Sequence, residues 1–293
     1  MNEELTRTGA EAARAALVAT AGSILPAGPA GWWKFALPNA ALHEVAALVV
    51  DDWLMLDTAA AAGEGDGGLE PDLLWCALTW NATLPGFAKF ALGSEPSLRL
   101  RAEIPLAEEI DVARRVQAVC DGFQWGWERW EGQPHRPPDG ERTAPAIDLA
   151  RLCAEANWPF KERAANRIAV TLETRDGFYQ ALLSQTGRGL EVGTELASGE
   201  ALAPPCREAW ARVLLTAARY VRLARPIVIT ETDQTIARWE VVFADPPGAA
   251  ELSAALSNLC GACDLMGEEI RALQDETMAR EYLALRGCAS QRE

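Results

Sequence analysis

The chain has 293 residues, of which 49% are hydrophobic and 24% are charged, and this balance is typical of folded globular proteins. Its net charge of −15 at pH 7 and its three lysines argue against a nucleic-acid groove, because binding phosphates requires clustered basic side chains. No apolar run approaches the ~18 residues of a membrane span, and the acidic N terminus lacks the basic start of a signal peptide. We therefore expect a cytoplasmic protein with neither a membrane nor a nucleic-acid partner.

Taken in chain order, residues 1–131 predict a helix, three strands, a second helix, two more strands and a closing helix. Residues 3–25 carry an apolar stripe at helical spacing. Three strands of a meander are predicted because apolar runs alternate with turn residues in WWKFALP, ALHEVAALVVDD and WLMLDTA. Pro71 opens the second helix, since proline suits a first helical turn. The two later strands cover residues 87–92 and 98–104, and an amphipathic helix follows them.

Residues 132–145 contain four prolines and two glycines, a composition that opposes both helix and sheet and predicts a linker. Residues 146–293 then repeat the element order of the first module. A helix comes first, a second strong helix begins at Pro204 and is terminated by Pro226, and the final helix continues or bends past Gly267. The five predicted strands of this module cover residues 167–174, 178–185, 190–197, 227–232 and 236–244.

The closing helix of the first module gives the clearest sign of a duplication. Its apolar face carries Val112, Val116, Val119, Cys120 and Phe123. The residues 140 positions later are apolar and equally spaced, namely Leu252, Leu256, Leu259, Cys260 and Cys263. We therefore predict an α+β fold of two tandem α-β-β-β-α-β-β-α modules, each an antiparallel sheet with helices packed on it. The two modules are expected to form a pseudo-dimer.

The element order, together with the segment GFAKFALGSEPSLRLRAEIPLAEEIDVARRVQAVCDGF, resembles the type III secretion chaperones of the CesT (Tir chaperone) class and the related YbjN-like proteins. That family tends to have a similar hairpin, a small l-x-l-x-a-x-i-p strand and a closing amphipathic helix. The resemblance covers both halves in topology, although only the first half carries the motif. It implies a non-enzymatic module that holds partly unfolded segments of other proteins. Those chaperones are usually single modules, whereas this chain joins two.

Cys260 and Cys263 form a CxxC motif, for which a redox pair, a zinc site and a buried core position are the alternatives. A redox pair favours the start of a helix after a strand, where the helix dipole lowers the thiol pKa, but these cysteines lie well inside a predicted helix. A zinc site needs about four ligands, and the only histidines are His43 and His135. Neither histidine lies near a known catalytic motif. We expect no catalytic residues, no metal and no cofactor.

The eleven tryptophans are the unusual feature of the composition. Trp32 and Trp33 are adjacent on a predicted strand, so one of them must face away from the covered side of the sheet. Trp125, Trp127 and Trp130 follow the predicted closing helix and precede the linker. Large aromatic side chains outside a core tend to mark interfaces. These five residues are the predicted protein-binding surface; the alternative is that they pack the first module against the second.

The predicted function is protein binding without catalysis. A secretion-chaperone-like protein of this kind holds an extended or amphipathic segment of a client protein, whose identity the sequence does not specify. Two alternatives stay open: a small-molecule-binding or enzymatic protein that uses the cleft between the modules, and a YbjN-like regulatory module. We expect a monomer, because the second module can supply the contact that a second subunit makes in a homodimer.

Overall fold

The computed structural model describes residues 2–37, 40–62, 69–93, 97–107, 110–131, 146–175, 177–200, 202–231 and 234–286. Within these ranges the chain forms two six-stranded antiparallel sheets and seven helices. One sheet belongs to each half of the chain, which confirms the predicted α+β fold of two similar modules. The predicted linker over residues 132–145 lies outside the described residues.

The first module contains the predicted elements and one short additional strand at the edge of its sheet. Its elements are α1 (Asn2–Ala21), β1 (Leu25–Pro26), β2 (Trp32–Leu37), β3 (Ala40–Val50), β4 (Trp53–Ala62), α2 (Pro71–Asn81), β5 (Lys89–Leu92), β6 (Ser97–Pro105) and α3 (Val112–Trp130). The strand order is β1-β2-β3-β4-β6-β5. Strand β1 pairs with β2 and was not predicted, because two residues are too few for a periodic pattern.

The second module repeats this arrangement and adds a helix. Its elements are α4 (Leu149–Glu155), β7 (Phe160–Ala164), β8 (Arg167–Thr174), β9 (Gly177–Thr186), β10 (Gly189–Gly199), α5 (Pro204–Ala217), β11 (Arg225–Glu231), β12 (Gln234–Phe243), α6 (Ala249–Ala272) and α7 (Glu276–Leu285). The strand order is β11-β12-β10-β9-β8-β7, the same order read from the other edge. The predicted final helix is two helices, and the Asp275 side chain caps the second by accepting from the N–H groups of Thr277 and Met278.

The two sheets share a bulge, which fixes how their residues correspond. In β4 the pairing with β6 shifts at Ala60, and in β10 the pairing with β12 shifts at Leu196. The residue before each bulge lies opposite Arg99 in the first sheet and Arg238 in the second. Residues of β4 and β10 therefore correspond with an offset of 136, and residues of β6 and β12 with an offset of 139.

Helix α3 packs against the inner face of the first sheet through two glycines. A Cβ atom on Gly122 would lie 2.6 Å from the Cβ of Ala88, and one on Gly126 would lie 2.7 Å from a methyl group of Leu100. The helix backbone can approach the sheet closely because both positions lack a side chain. The predicted apolar face of α3 is buried, and so is its repeat in α6 except for Cys260, which is half-buried.

The two modules pack together through related elements. Helix α2 contacts α5 and β11, while α5 contacts α2 and β5. Each edge strand, β5 or β11, thus lies against the other module instead of solvent, as expected for the predicted pseudo-dimer. The opposite edges of the two sheets are formed by the short strands β1 and β7.

Candidate functional site

The five predicted tryptophans do not form a single surface. Trp33, Trp125 and Trp127 are 8%, 6% and 2% exposed, so they belong to the core and cannot contact a partner in this structure. Trp125 and Trp127 lie within α3 and not after it, which corrects the prediction. Trp130 ends α3 and is half-buried, whereas Trp32 is 39% exposed. The accessible part of the predicted surface is therefore Trp32 and part of Trp130.

Trp127 is held in the core by polar and aromatic contacts. Its indole Nε1 donates a hydrogen bond to the backbone oxygen of Ala59 at 3.3 Å. Its ring stacks on the imidazole of His43, with 4.0 Å between centroids and 16° between planes. Both partners come from the first sheet, so these contacts hold the tryptophan within its own module.

Trp32 lines a cleft of about 510 Å³ at the junction of the two modules. The floor is the outer face of the first sheet, and one wall is the segment that follows α5 in the second module. The lining residues are Trp32, Ala46, Leu48, Val50, Met55, Asp57, Arg99, Arg101, Arg219, Tyr220 and Arg222. The ring of Trp32 lies directly over Gly28, where an added Cβ would be 2.2 Å from a ring carbon. The glycine thus makes room for the ring at the edge of the cleft.

Strand alternation places these side chains on the outer face. Leu48 and Val50 of β3 alternate with the buried residues of that strand, and Arg99 alternates with the fully buried Leu98 and Leu100 of β6. The inner face is occupied by the core, so the outer positions are those that a partner can reach. Arg99 and Arg101 lie outside the predicted site, although the alternation of leucine and arginine in β6 marks them as outward-facing positions.

The wall of the cleft arises where α5 ends earlier than predicted. Helix α5 ends at Ala217, and the chain turns through residues 218–223 before β11 begins. Leu223 has a φ of 60°, a left-handed conformation that breaks the predicted continuation of the helix. The guanidinium of Arg222 lies 5.1 Å from the ring centroid of Trp53. This contact attaches the wall of the second module to the sheet of the first.

The cleft concentrates positive charge in an acidic protein. Its lining contains four arginines and one carboxylate, that of Asp57. Asp57 accepts from the Nε of Arg99 at 2.5 Å and lies 3.7 Å from a terminal nitrogen of Arg101. Arg101 also pairs with the buried Glu103 at 3.0 Å. Cations therefore outnumber acids among the residues that line the cleft, although the chain as a whole has a net charge of −15.

The corresponding face of the second sheet is closed. Met55 and Asp57 correspond to Glu191 and Gly193. The guanidinium of Arg238 lies over Gly193, so that a Cβ atom added to this glycine would be 2.1 Å from the Nε of Arg238. Arg188 pairs with Glu191 at 2.8 Å and lies 3.6 Å from the buried carboxylate of Glu240. It also donates to the backbone oxygen of Ala82 in the first module. Internal ion pairs thus fill the position that is an open cleft in the first module.

Two buried cations join the modules beside this cleft. Lys89 pairs with Glu103 at 2.7 Å and donates to the backbone oxygens of Val221 and Ala224 at 2.5 and 3.1 Å. Its three ammonium protons are therefore matched by three acceptors. Burial lowers the pKa of Lys89 from its ordinary value, and the carboxylate of Glu103 opposes that shift.

Arg225 has the corresponding role in the second module. Its guanidinium pairs with Glu240 at 2.9 Å and donates to the backbone oxygens of Leu84 and Gly86 in the first module. Lys89 and Arg225 are related by the same offset of 136 residues, and they lie opposite Arg101 and Glu240 in the two sheets. The arrangement is reciprocal, because each module supplies a cation that binds main-chain oxygens of the other.

An ion pair between the modules connects α3 with α6. Arg115 forms a bidentate pair with Glu251, with nitrogen–oxygen distances of 3.0 and 2.9 Å. The same guanidinium lies 5.5 Å from the ring centroid of Phe87 and 5.9 Å from that of Phe243. Charge and aromatic contacts thus stabilise the junction at a place where both residues of the pair are almost fully buried.

The CxxC cysteines have the environment of core residues. Cys263 is buried beside Thr194, and burial raises its pKa to about 12. Cys260 is half-buried against the backbone oxygen of Glu173, and burial is the main cause that raises its pKa as well. Raised pKa values oppose thiolate formation, which redox and metal-binding cysteines require. Among the residues that the structure describes, no group of three or more His, Cys, Asp or Glu side chains could hold a metal ion.

No protein-family model matches the chain, and no curated protein matches it. One solved structure with weak similarity is the di-domain ARO/CYC StfQ from the steffimycin biosynthetic pathway. It is 10% identical, and the alignment covers 95% of this chain and 96% of that one with a TM-score of 0.13. A TM-score this low supports no statement about the activity of this chain. None of the helices within the described ranges is long and apolar enough to cross a membrane.

Proposed function

We propose that the protein is a non-enzymatic protein-binding module that holds a segment of a client protein in the cleft at the module junction. The observation that supports this function is the difference between two corresponding sheet faces. In the second module the position is filled by Arg188, which pairs with Glu191, and by the guanidinium of Arg238, which covers Gly193. In the first module it is open and lined by apolar side chains and arginines. An apolar surface that is open in one module, while charged side chains cover its counterpart in the other, is typical of a binding site.

The exposed apolar residues support the same location. Four apolar residues that line the cleft are each at least 38% exposed, namely Trp32, Leu48, Val50 and Tyr220. Keeping such side chains in water is unfavourable at about 25 cal/mol per Å² of apolar surface. A partner that covers them therefore gains binding free energy from a surface that the fold leaves uncovered.

The test compares partner capture by the intact protein and by two variants. Affinity purification from the native host is expected to recover a protein partner with the wild type and to lose it with the double variant Trp32→Ser/Leu48→Ser. Phe178→Ser is the matched control, since Phe178 is 74% exposed on the outer face of the second sheet and lies outside the cleft. A partner that survives the double variant, or recovery of a small molecule in place of protein, would contradict the proposal.

A second candidate function is the binding of a small molecule in the same cleft. The volume of about 510 Å³ favours it, because small-molecule sites usually measure about 300–1,000 Å³. Native mass spectrometry of the purified protein separates the two functions, since a bound small molecule adds a mass that the apolar double variant loses.

A further inference from the structure

We propose that the cleft binds an acidic amphipathic helix, whose apolar side chains pack on Trp32, Leu48 and Tyr220 and whose carboxylates pair with Arg219 and Arg99. This inference rests on the proposed protein-binding function and specifies the chemistry of its partner.

The arginines that line the cleft differ in whether they already have acidic partners. Arg222 lies 3.6 Å from a carboxylate oxygen of Asp51, and Asp57 is shared between Arg99 and Arg101. Arg219 packs against the ring of Tyr220 at 5.5 Å and has no carboxylate within 4.0 Å among the described residues. The cleft therefore has at least one uncompensated cation at its wall and a shared carboxylate at its floor. A partner with carboxylates complements both.

Apolar side chains occupy the positions between these arginines. Leu48 and Val50 are two residues apart on β3, so both face the cleft, and Met55 lies beside them on β4 opposite Leu48. Trp32 borders them on β2, also opposite Leu48. These side chains form a continuous apolar strip flanked by arginines. An amphipathic segment with an apolar stripe and acidic flanks matches that pattern.

The floor of the cleft favours a helical partner over an extended one. The floor of the cleft spans β2, β3, β4 and β6, whose backbone groups are already paired with one another. An extended peptide placed on this face would find no backbone partners, whereas a helix satisfies its own hydrogen bonds. Four strands spaced about 4.8 Å apart give a floor roughly 14 Å wide. A helix with its side chains is about 10–12 Å across and fits this width.

The openness of the cleft favours a peptide over a small amphiphile. Tyr220 at its wall is 66% exposed, and Arg219 and Arg222 reach solvent as well. A small-molecule site typically encloses about 70–90% of its ligand. A cleft with one wall and a flat floor encloses much less, but it offers a large contact area to a helix that lies along it.

The experiment measures binding of three labelled helical peptides to the full chain by fluorescence anisotropy. The peptides are about 15 residues long, long enough to form a helix, and share one apolar stripe while their flanking residues are all Glu, all Gln or all Lys. The Glu peptide is expected to bind most tightly and the Lys peptide most weakly. Arg219→Glu is expected to weaken the Glu peptide by about tenfold and to leave the Gln peptide nearly unchanged.

The matched control is Arg167→Glu, which makes the same charge change in the second module. Arg167 in β8 lies opposite Ser184 of β9, just as Trp32 in β2 lies opposite Leu48 of β3. Arg167 therefore occupies the position in the second sheet that corresponds to Trp32. This variant is expected to bind all three peptides as the wild type does. An equal loss of Glu-peptide binding in the two variants would show a general charge effect and overturn the inference.

The remaining outcomes separate the inference from the proposed function. Equal affinity for the Glu and Gln peptides overturns the acidic partner but leaves protein binding intact. Failure of every peptide, with capture of a host protein that still depends on Trp32 and Leu48, also overturns the inference alone. Failure of the peptides and of partner capture, together with binding of dodecanoate in native mass spectrometry, overturns both and supports the small-molecule function.

Discussion

Lys89 and Arg225 occupy the same position in the two modules, and each binds the main chain of the other module. Both side chains are almost completely buried, at 0% and 1% exposure. Each pairs with a glutamate on the neighbouring strand of its own sheet, Glu103 or Glu240, and donates to backbone oxygens that precede the opposing edge strand. The junction therefore contains two reciprocal sets of hydrogen bonds to the main chain, each donated by a buried cation that a glutamate of its own module neutralises, and their energetics can be tested directly.

Replacing Lys89 by methionine is expected to lower the free energy of unfolding by about 3–5 kcal/mol. Glu103 keeps Arg101 but loses its fully buried cation, and the backbone oxygens of Val221 and Ala224 lose their buried donor. Urea denaturation followed by circular dichroism measures this change. The double variant Lys89→Met/Glu103→Leu is expected to recover part of the loss, since it removes the buried carboxylate that has lost its ammonium partner.

The matched control for this prediction is Lys34→Met. Lys34 pairs with Glu44 at 2.6 Å, but the two side chains are 43% and 60% exposed. A solvent-exposed pair contributes about 0–1 kcal/mol, so this variant is expected to unfold nearly as the wild type does. Equal effects at Lys34 and Lys89 would show that the buried pair does not hold the junction.

Two helical glycines are expected to respond to alanine in opposite ways. A Cβ on Gly122 would lie 2.8 Å from the backbone oxygen of Pro85, so Gly122→Ala forces α3 away from the sheet and costs about 1–3 kcal/mol. Gly261 in α6 has no atom within 4 Å of its would-be Cβ, so Gly261→Ala stabilises the helix by about 0.5–1 kcal/mol. Thermal or urea unfolding of the two variants measures both signs. A stabilising Gly122→Ala would contradict the close packing of α3.

The buried thiols are expected to make stability fall in alkaline solution. Burial raises the pKa values of Cys120 and Cys263 from 9.0 to about 12. Between these values the unfolded chain loses thiol protons that the folded chain keeps, so the stability present below pH 9 decreases as the pH rises toward 12. Each thiol contributes about 1–2 kcal/mol of this decrease over roughly one to one and a half pH units.

Urea unfolding of the wild type and of Cys120→Ala/Cys263→Ala on both sides of pH 9 measures the effect. The alanine variant differs in absolute stability because it loses packing, so the comparison uses the dependence on pH. The wild type is expected to lose stability more steeply than the variant. Parallel pH profiles would mean that these thiols titrate normally in the folded protein.

The chain is expected to be a monomer of 31.7 kDa in sedimentation velocity. The faces of α2 and β5 in the first module are covered by α5 and β11 of the second, so the contact available to a second copy is already occupied. An obligate homodimer would contradict this expectation. The Lys89→Met variant offers a further check, because a loosened junction frees these faces and is expected to promote self-association.

Much of the fold could be predicted from the sequence because its elements carry regular periods. The strands around Trp32, Leu54 and Leu100 show alternating or continuous apolar runs, and the repeat of the Val112 face fixed the two modules. The end of α5 could not be predicted in this way. The helical pattern continues to Pro226, whereas α5 ends at Ala217 and the Leu223 N–H donates to Glu103 of the first module, a tertiary contact that the local pattern does not encode.

Only part of the candidate site could be predicted, because some of its residues meet through tertiary contacts. The adjacency of Trp32 and Trp33 predicted that one of them faces away from the core, and the structure shows that Trp32 is the exposed one. Trp127 was misplaced because the apolar stripe of α3 was not followed from Phe123 to the residue four positions later, although that spacing is helical. Arg219 and Tyr220 come from the other module, and their meeting with β3 is a tertiary contact that no local pattern encodes.

The choice of acceptors for Lys89 and Arg225 has a consequence for how the two halves can diverge. Their contacts across the junction end on the main-chain oxygens of Val221, Ala224 and Leu84, which every amino acid carries. Side-chain replacement at those acceptor positions leaves the hydrogen bonds available. The two copies can therefore drift apart in sequence while still recognising each other, and one of them is free to acquire a new surface.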